Sequence, residues 1–287
     1  MTRLRIPLIF MFLSLAGYGR GQHLTAHADY VAEDREIWNR CMAALADKKT
    51  LPTGDLIIEA ARCFAGKPYV AATLEKEPER LVVNMRELDC TTFVETVVAM
   101  ALTVKDANPS FESFCRHLQT LRYRDGVISD YTDRLHYFSD WIFENSRRGL
   151  VRDVTQMIGG EPLTLKLSFM STHPAAYPPL KSHPERVRAM RDKEAEISSR
   201  DAYAMIPPAR INDCAEGMKN GDIVCFVTNI EGLDVSHVGF VCLQGDTPGF
   251  VHASSAEKKV ILDARPLQAY ASAGRTTRGV IIVRIVR

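Results

Sequence analysis

Apolar residues recur at helical steps through most of the first half of the chain. The pattern predicts helices over residues 30–47 and 54–65, a short strand over 80–84, and a strong helix over 90–104. In that last stretch Phe93, Val97, Ala101 and Val104 fall on one face. Residues 110–121 and 134–147 show the same period. Residues 163–169 read as a strand, followed by the proline-punctuated loop STHPAAYPPLKSHP and a charged helix over 184–199. From residue 203 the character changes. Residues 223–228, 237–243, 250–254, 260–263 and 280–286 are β-branched runs separated by turn signals such as Asn220-Gly221 and Gln244-Gly245-Asp246. Helices first and strands later predict an α+β fold.

The first sixteen residues, MTRLRIPLIFMFLSLA, stand apart. Arg3 and Arg5 precede an eleven-residue apolar run, too short to span a bilayer, and Gly17, Gly19 and Gly21 follow it. This is the pattern of a secretory signal. Residues 1–22 are expected to be removed and residues 23–287 exported to the periplasm with no membrane span. The 287-residue chain is 25% charged and 46% hydrophobic, an ordinary globular composition. Its net charge is +1, and loss of Arg3, Arg5 and Arg20 takes it to −2. Neither value argues for a nucleic-acid partner. Seven cysteines, an odd number, leave at least one unpaired thiol in an exported chain. No C-x-x-C occurs, and most of the cysteines sit in apolar runs where they read as small core residues.

One segment carries chemistry. In Glu87-Leu88-Asp89-Cys90-Thr91-Thr92-Phe93-Val94-Glu95, Asp89 is a good N-cap, and Thr92 with Glu95 also fits a capping box. Either way Cys90 lies at a helix start. There the free N–H groups and the dipole favour a thiolate and can hold an oxyanion. A base is available on the strand-like runs that follow. His237 would exchange the proton with Cys90, and His252, on the next run, would orient His237.

The ordered set Pro68-Tyr69, Asp89-Cys90, Gly221-Asp222-Ile223, His237-Val238-Gly239 and His252-Ala253 resembles the NlpC-type papain-like cell-wall peptidases. Cys90 and His237 are 147 positions apart, further than is usual in that superfamily. The segments LDCTTFVE, DRLHYFSDW, STHPAAYPPL, GLDVSHVG and HASS are similar to one branch, the N-acetylmuramoyl-L-alanine amidase-like family. The resemblance implies a papain-like α+β core, the nucleophile at a helix N-terminus packed on an antiparallel sheet. It implies a single catalytic domain over 23–287, with the core at about 50–104 and 203–287 and a helical insertion at about 105–202. The implied reaction is hydrolysis of the N-acetylmuramoyl–L-alanine amide of peptidoglycan fragments, including 1,6-anhydro muropeptides, with no metal or cofactor.

Within the insertion Arg134, His136, Tyr137, Asp140 and Trp141 make an unusually polar and aromatic stretch. Helical spacing would let Arg134, Tyr137 and Trp141 share a face that stacks on sugar rings. Core packing is the alternative for the aromatics. His173 and Tyr177 lie on the proline-rich loop, and Tyr69 is a further candidate to line the cleft or donate to the oxyanion. Three other functions remain open at this level. They are cleavage of the γ-D-glutamyl–diamino-acid bond, a zinc amidase using Cys90, His237 and His252, and a muropeptide-binding protein without catalysis.

Overall fold

The computed structural model describes residues 28–200 and 203–286, so the expected export signal lies outside the described residues. Amphipathic spacing folds Ala32–Leu45 (α1) and Thr53–Arg62 (α2), which bury Ile37, Trp38, Leu45, Leu56 and Ile57. Cys90–Lys105 (α3) is different. Every residue from Thr92 to Val104 is buried, the mark of a helix enclosed on all sides. Phe111–Arg122 (α4) packs on α3, and Phe138–Arg147 (α5) follows.

Short elements come next: Val151–Asp153 (β1), Glu161–Leu163 (β2), Phe169–Thr172 (α6) and Pro178–Lys181 (α7). They are followed by Pro184–Ser198 (α8) and Tyr203–Met205 (β3), which pairs with β2. The sheet proper is built from Ile223–Thr228 (β4), Val235–Gln244 (β5), Thr247–Ser254 (β6) and Lys259–Leu262 (β7), then Leu267–Ala273 (α9) and Thr277–Ile285 (β8). Its order is β1-β8-β4-β5-β6-β7, antiparallel throughout. The α+β expectation therefore holds.

β4 is buried at all six positions because both faces of the sheet are covered. Ile223, Cys225 and Val227 join the core under α3, while Val224 and Phe226 join a second apolar cluster with Leu267 and Ala271 of α9. Phe93 of α3 meets Phe240 of β5 edge to face at 5.7 Å, both fully buried. Such a pair adds ~1 kcal/mol to its area burial and seats the helix on the strand.

Three sequence expectations change. Residues 163–169 are not one strand: β2 stops at Leu163, and Ser198 Oγ takes the Leu167 N–H. The Gly232 carbonyl takes the N–H groups of Ser168 and Phe169, leaving no free edge to pair. Residues 80–84 shrink to a bridge between Asp29 and Val82, whose carbonyl is also held by Arg122. The helix expected from residue 134 begins at Phe138. Arg134 and Tyr137 are extended, and Tyr123 bridges to Arg134. No described helix is long and apolar enough to cross a membrane.

Candidate active site

Asp89 decides where α3 begins. Its backbone is extended (φ −91°, ψ −178°), and its Oδ1 accepts the Thr92 N–H at 2.7 Å. Thr92 Oγ1 accepts the Asp89 N–H at 2.9 Å in return. This reciprocal cap makes Cys90 the first helical residue. The competing start, Thr92 with Glu95, is excluded because Glu95 is buried inside the helix against Arg122 Nε at 2.6 Å.

The β5–β6 ladder runs from Gln244 and Thr247 to Phe240 and Val251 and ends there. Two residues beyond its end, the Val238 N–H donates to the sulfur of Cys90. His237 is the preceding residue, and its Nε2 lies 2.7 Å from Nδ1 of His252 on β6. Gly239 permits this approach. A Cβ there would fall 2.7 Å from the Val251 carbonyl oxygen and 2.9 Å from His252 Cβ. The structure thus gathers Cys90, His237 and His252 at one end of the sheet.

The surroundings are apolar and aromatic. Phe226 and Tyr270 flank His237, with ring centroids 5.7 and 6.3 Å away, and Phe250 stacks on His252 at 4.3 Å. Burial, then the neighbouring His252, pushes His237 down to about 3; burial pushes His252 down to about 4. Burial and Asp89 raise the Cys90 thiol to about 12, against smaller lowering effects of the Val238 and Thr91 groups. The helix start does not outweigh desolvation, so the resting pair is a neutral thiol and a neutral imidazole. Cys90 and His237 each keep part of their surface open, while His252 is fully buried.

Asp263 was not visible as a site residue in the sequence. Its Oδ2 lies 3.4 Å from His252 Nε2, within ion-pair range but off the line of a hydrogen bond. Its N–H donates to the Phe250 carbonyl, which pins it beside β6. Arg265 grips the carboxylate, Nε to Oδ1 and Nη2 to Oδ2, each at 3.0 Å, and its guanidinium lies 4.6 Å over the Tyr270 ring. A signal existed. His252 faces Ile261 across the β6–β7 hairpin, and Asp263 is two residues on, so strand alternation puts it on the same side.

The remaining expectations divide. Tyr69 runs beside Leu88, and its ring, pushed up to about 12 by burial and then by Cys90 and Asp89, stands at the site. Arg134 and His136 line a polar cavity of about 120 Å³ together with Asp89 and Thr91. His136 donates Nε2–H to the Tyr131 carbonyl at 2.9 Å, and burial then Arg134 lowers it to about 3. Four of the five N–H groups of the Arg134 guanidinium are held by Glu75, Glu79 and the Leu74 carbonyl. Tyr137, Asp140 and Trp141 are buried away from the cavity, which corrects the shared sugar-binding face. Tyr137 donates to Glu194 at 2.6 Å, Asp140 binds Arg124 and Arg200, and Trp141 stacks on Phe138. His173 is exposed and stacks on Phe169; Tyr177 packs partly buried against the main core. Among the described residues, no group of three His, Cys, Asp or Glu side chains is arranged to hold a metal ion.

Residues 59–277 match the family model described as AmiA-like, N-acetylmuramoyl-L-alanine amidase-like. An N-acetylmuramoyl-L-alanine amidase from Bacteroides uniformis is 38% identical with a TM-score of 0.78, the match covering 82% of this chain and 99% of that one. A Bacteroides fragilis protein provisionally called a xylanase is 40% identical with a TM-score of 0.75, covering 79% and 99%. A Legionella pneumophila protein of the DUF1460 family shares the fold at 22% identity and a TM-score of 0.66, covering 89% and 95%. No curated protein gives a significant match.

Proposed function

The chain belongs to the N-acetylmuramoyl-L-alanine amidase-like family, and on that premise we propose that it is an exported, periplasmic cysteine hydrolase with a papain-like, NlpC-type core. Its substrates are peptidoglycan fragments, including 1,6-anhydro muropeptides, and it cleaves the amide between the lactyl carbonyl of N-acetylmuramic acid and L-alanine. The strongest support is the Cys90 thiol at the start of α3, held by the Val238 N–H beside the His237–His252 pair.

The steps follow from the neutral resting pair. His237 takes the Cys90 proton as the sulfur attacks the lactyl carbonyl carbon. The oxyanion is received by N–H groups at the open end of α3, where helical geometry supplies no partner, with the Tyr69 hydroxyl as a further donor. The tetrahedral intermediate collapses as His237 gives the proton to the alanine nitrogen, the C–N bond breaks, and a thioester remains. Water, deprotonated by His237, attacks the thioester. The lactyl carboxylate leaves and the Cys90 thiol is restored. The polar cavity beside Asp89 and Thr91 supports a hydrophilic substrate group next to the sulfur.

The test is mass spectrometry of residues 23–287 incubated with a defined anhydro-muropeptide, for wild type and Cys90→Ala, with and without chelator. Free disaccharide and an intact stem peptide, released by wild type alone and insensitive to chelator, are expected. Cleavage inside the stem peptide would replace the amidase with a γ-D-glutamyl–diamino-acid endopeptidase. Loss of activity with chelator would replace the cysteine mechanism with a zinc one. Binding without cleavage would leave a muropeptide-binding protein.

A further inference from the structure

A base is useful to Cys90 only if the nitrogen facing the sulfur carries a lone pair. Nε2 of His237 is committed to His252 Nδ1, so Nδ1 of His237 is the nitrogen left for the thiol. The 2.7 Å contact is satisfied by either of two proton orders. In one, His237 Nε2–H donates to His252 Nδ1, and His237 Nδ1 is a free acceptor. In the other, His252 Nδ1–H donates to His237 Nε2, His237 Nδ1 carries its hydrogen, and the base is blocked. The histidine pair alone does not choose between them.

We propose that Asp263 makes the choice and is a positioning residue for the reaction. The inference rests on the cysteine-hydrolase reading of this site. Among the described residues, Asp263 is the acid within ion-pair reach of His252 Nε2. That nitrogen is buried and has no aligned partner. A carboxylate only accepts, so its neighbour must be N–H, which leaves His252 Nδ1 as acceptor and His237 Nε2 as donor. The proton order then runs from Asp263 outward and ends with a lone pair toward Cys90. At 3.4 Å the carboxylate and His252 Nε2 are a few tenths of an ångström outside ordinary hydrogen-bond length.

The grip of Arg265 sharpens this into a directional test. Asp263 Oδ1 accepts both the backbone N–H and Nε–H of Arg265, at 2.9 and 3.0 Å, while Oδ2 faces His252. Arg265 Nη2 also donates to Oδ2 at 3.0 Å, but in Asp263→Asn two Arg265 donors against one keep the carbonyl oxygen at the Oδ1 position. The amide NH2 is therefore turned toward His252 Nε2, which must then accept. The whole proton order reverses and the base is blocked by a near-isosteric change.

The experiment pairs turnover of the muropeptide with alkylation of Cys90 by iodoacetamide, read on the Cys90 peptide and needing no substrate. Asp263→Asn should lower kcat by roughly 10²-fold or more, as loss of the correct imidazole tautomer does elsewhere. KM should stay within about twofold, and alkylation near pH 7 should slow by roughly tenfold. The alkylation gap should close as pH rises and hydroxide ionises the thiol. The ionisable groups facing Cys90 in that titration are Asp89, Tyr69, Cys225 and Tyr270; those facing His252 are His237, Asp263 and Arg265. Asp263→Glu should recover part of both rates. Adding Arg265→Ala to Asp263→Asn should also recover part, because only the backbone N–H of residue 265 then holds the amide oxygen at the Oδ1 position.

Wild-type alkylation in Asp263→Asn at pH 7 would overturn the proposal and leave the amidase reading intact. Slowed alkylation with no muropeptide cleavage by wild type would keep the proposal and remove the substrate. If the variant does not fold, nitrogen-15 spectra of wild-type imidazoles decide. Hydrogens on His252 Nε2 and His237 Nε2 are expected, and a hydrogen on His237 Nδ1 overturns the proposal.

Discussion

Two buried polar clusters flank the start of α3, and they are built in opposite ways. Around Arg134 four of the five guanidinium N–H groups are bonded: Nε and Nη2 on Glu79 at 3.0 and 2.7 Å, Nη1 on Glu75 at 2.7 Å, and Nη2 also on the Leu74 carbonyl. Around His237 the contacts run in single file among aromatic rings, from His237 to His252 and on to Asp263. The first cluster is a dense set of charged pairs, which suits a brace. The second ends in two neutral imidazoles joined by one hydrogen bond, which suits proton transfer.

The largest expected effect tests that division directly. His237→Ala should lower kcat/KM by roughly 10³-fold or more with little change in unfolding midpoint, because members of a catalytic unit fail together. His252→Ala should cost less, since it acts through His237. A His252 variant more damaged than the His237 variant would invert the roles.

Arg134→Ala should do the reverse. It strands the carboxylates of Glu75 and Glu79, and breaking a buried pair this way costs about 3–5 kcal/mol. Urea unfolding measures it, and folded variant should retain most of its turnover per molecule. A stable Arg134→Ala protein that had lost binding would return this residue to the substrate.

Acid should separate the clusters next. His136, His237 and His252 hold folded values of about 3, 3 and 4, below the ordinary 6.5, chiefly through burial. Between 6.5 and those values the unfolded chain binds protons that the folded chain refuses. Stability from this source is complete above about pH 6.5 and is lost as pH falls toward 3. Urea midpoints across that window should fall, less steeply in His136→Gln. Turnover should persist well below pH 6.5, because His237 remains an acceptor there.

The smallest effect concerns Tyr137. Tyr137→Phe removes the hydrogen bond to Glu194 and the acceptor of the Met170 N–H, and should cost about 2 kcal/mol of stability. Turnover should not change. A rise in KM would restore the aromatic face to sugar binding.

Sequence reasoning anticipated that Cys90, His237 and His252 lie together because the signals are local. The Asp89–Thr92 cap, the period of α3 and the β-branched runs of β4 to β8 are all written within a few residues. The segment between α5 and β4 was harder because its backbone is held from a distance, as at Leu167 by Ser198 and at Ser168 by Gly232. Reading residues 134–147 as one helix put Arg134, Tyr137 and Trp141 on a shared face. Arg134 and Tyr137 are extended residues ahead of the helix, and both aromatics are buried. Asp263 was within reach of strand alternation, but only once the β6–β7 register was fixed. Tyr270 sits on a seven-residue helix, and nothing in its neighbours pointed to the histidines.

The contact under Gly239 has a consequence for sequence drift. The two imidazoles meet because nothing projects from that position, and the smallest side chain would strike the Val251 carbonyl and His252 itself. A chain that retains this histidine pair in this register cannot accept even alanine two places after the first histidine without prising the strands apart. The spacing His-x-Gly, followed fifteen positions after the first histidine by a second, is thus a fingerprint dictated by steric exclusion. It can be sought in other chains without reference to any residue that touches substrate.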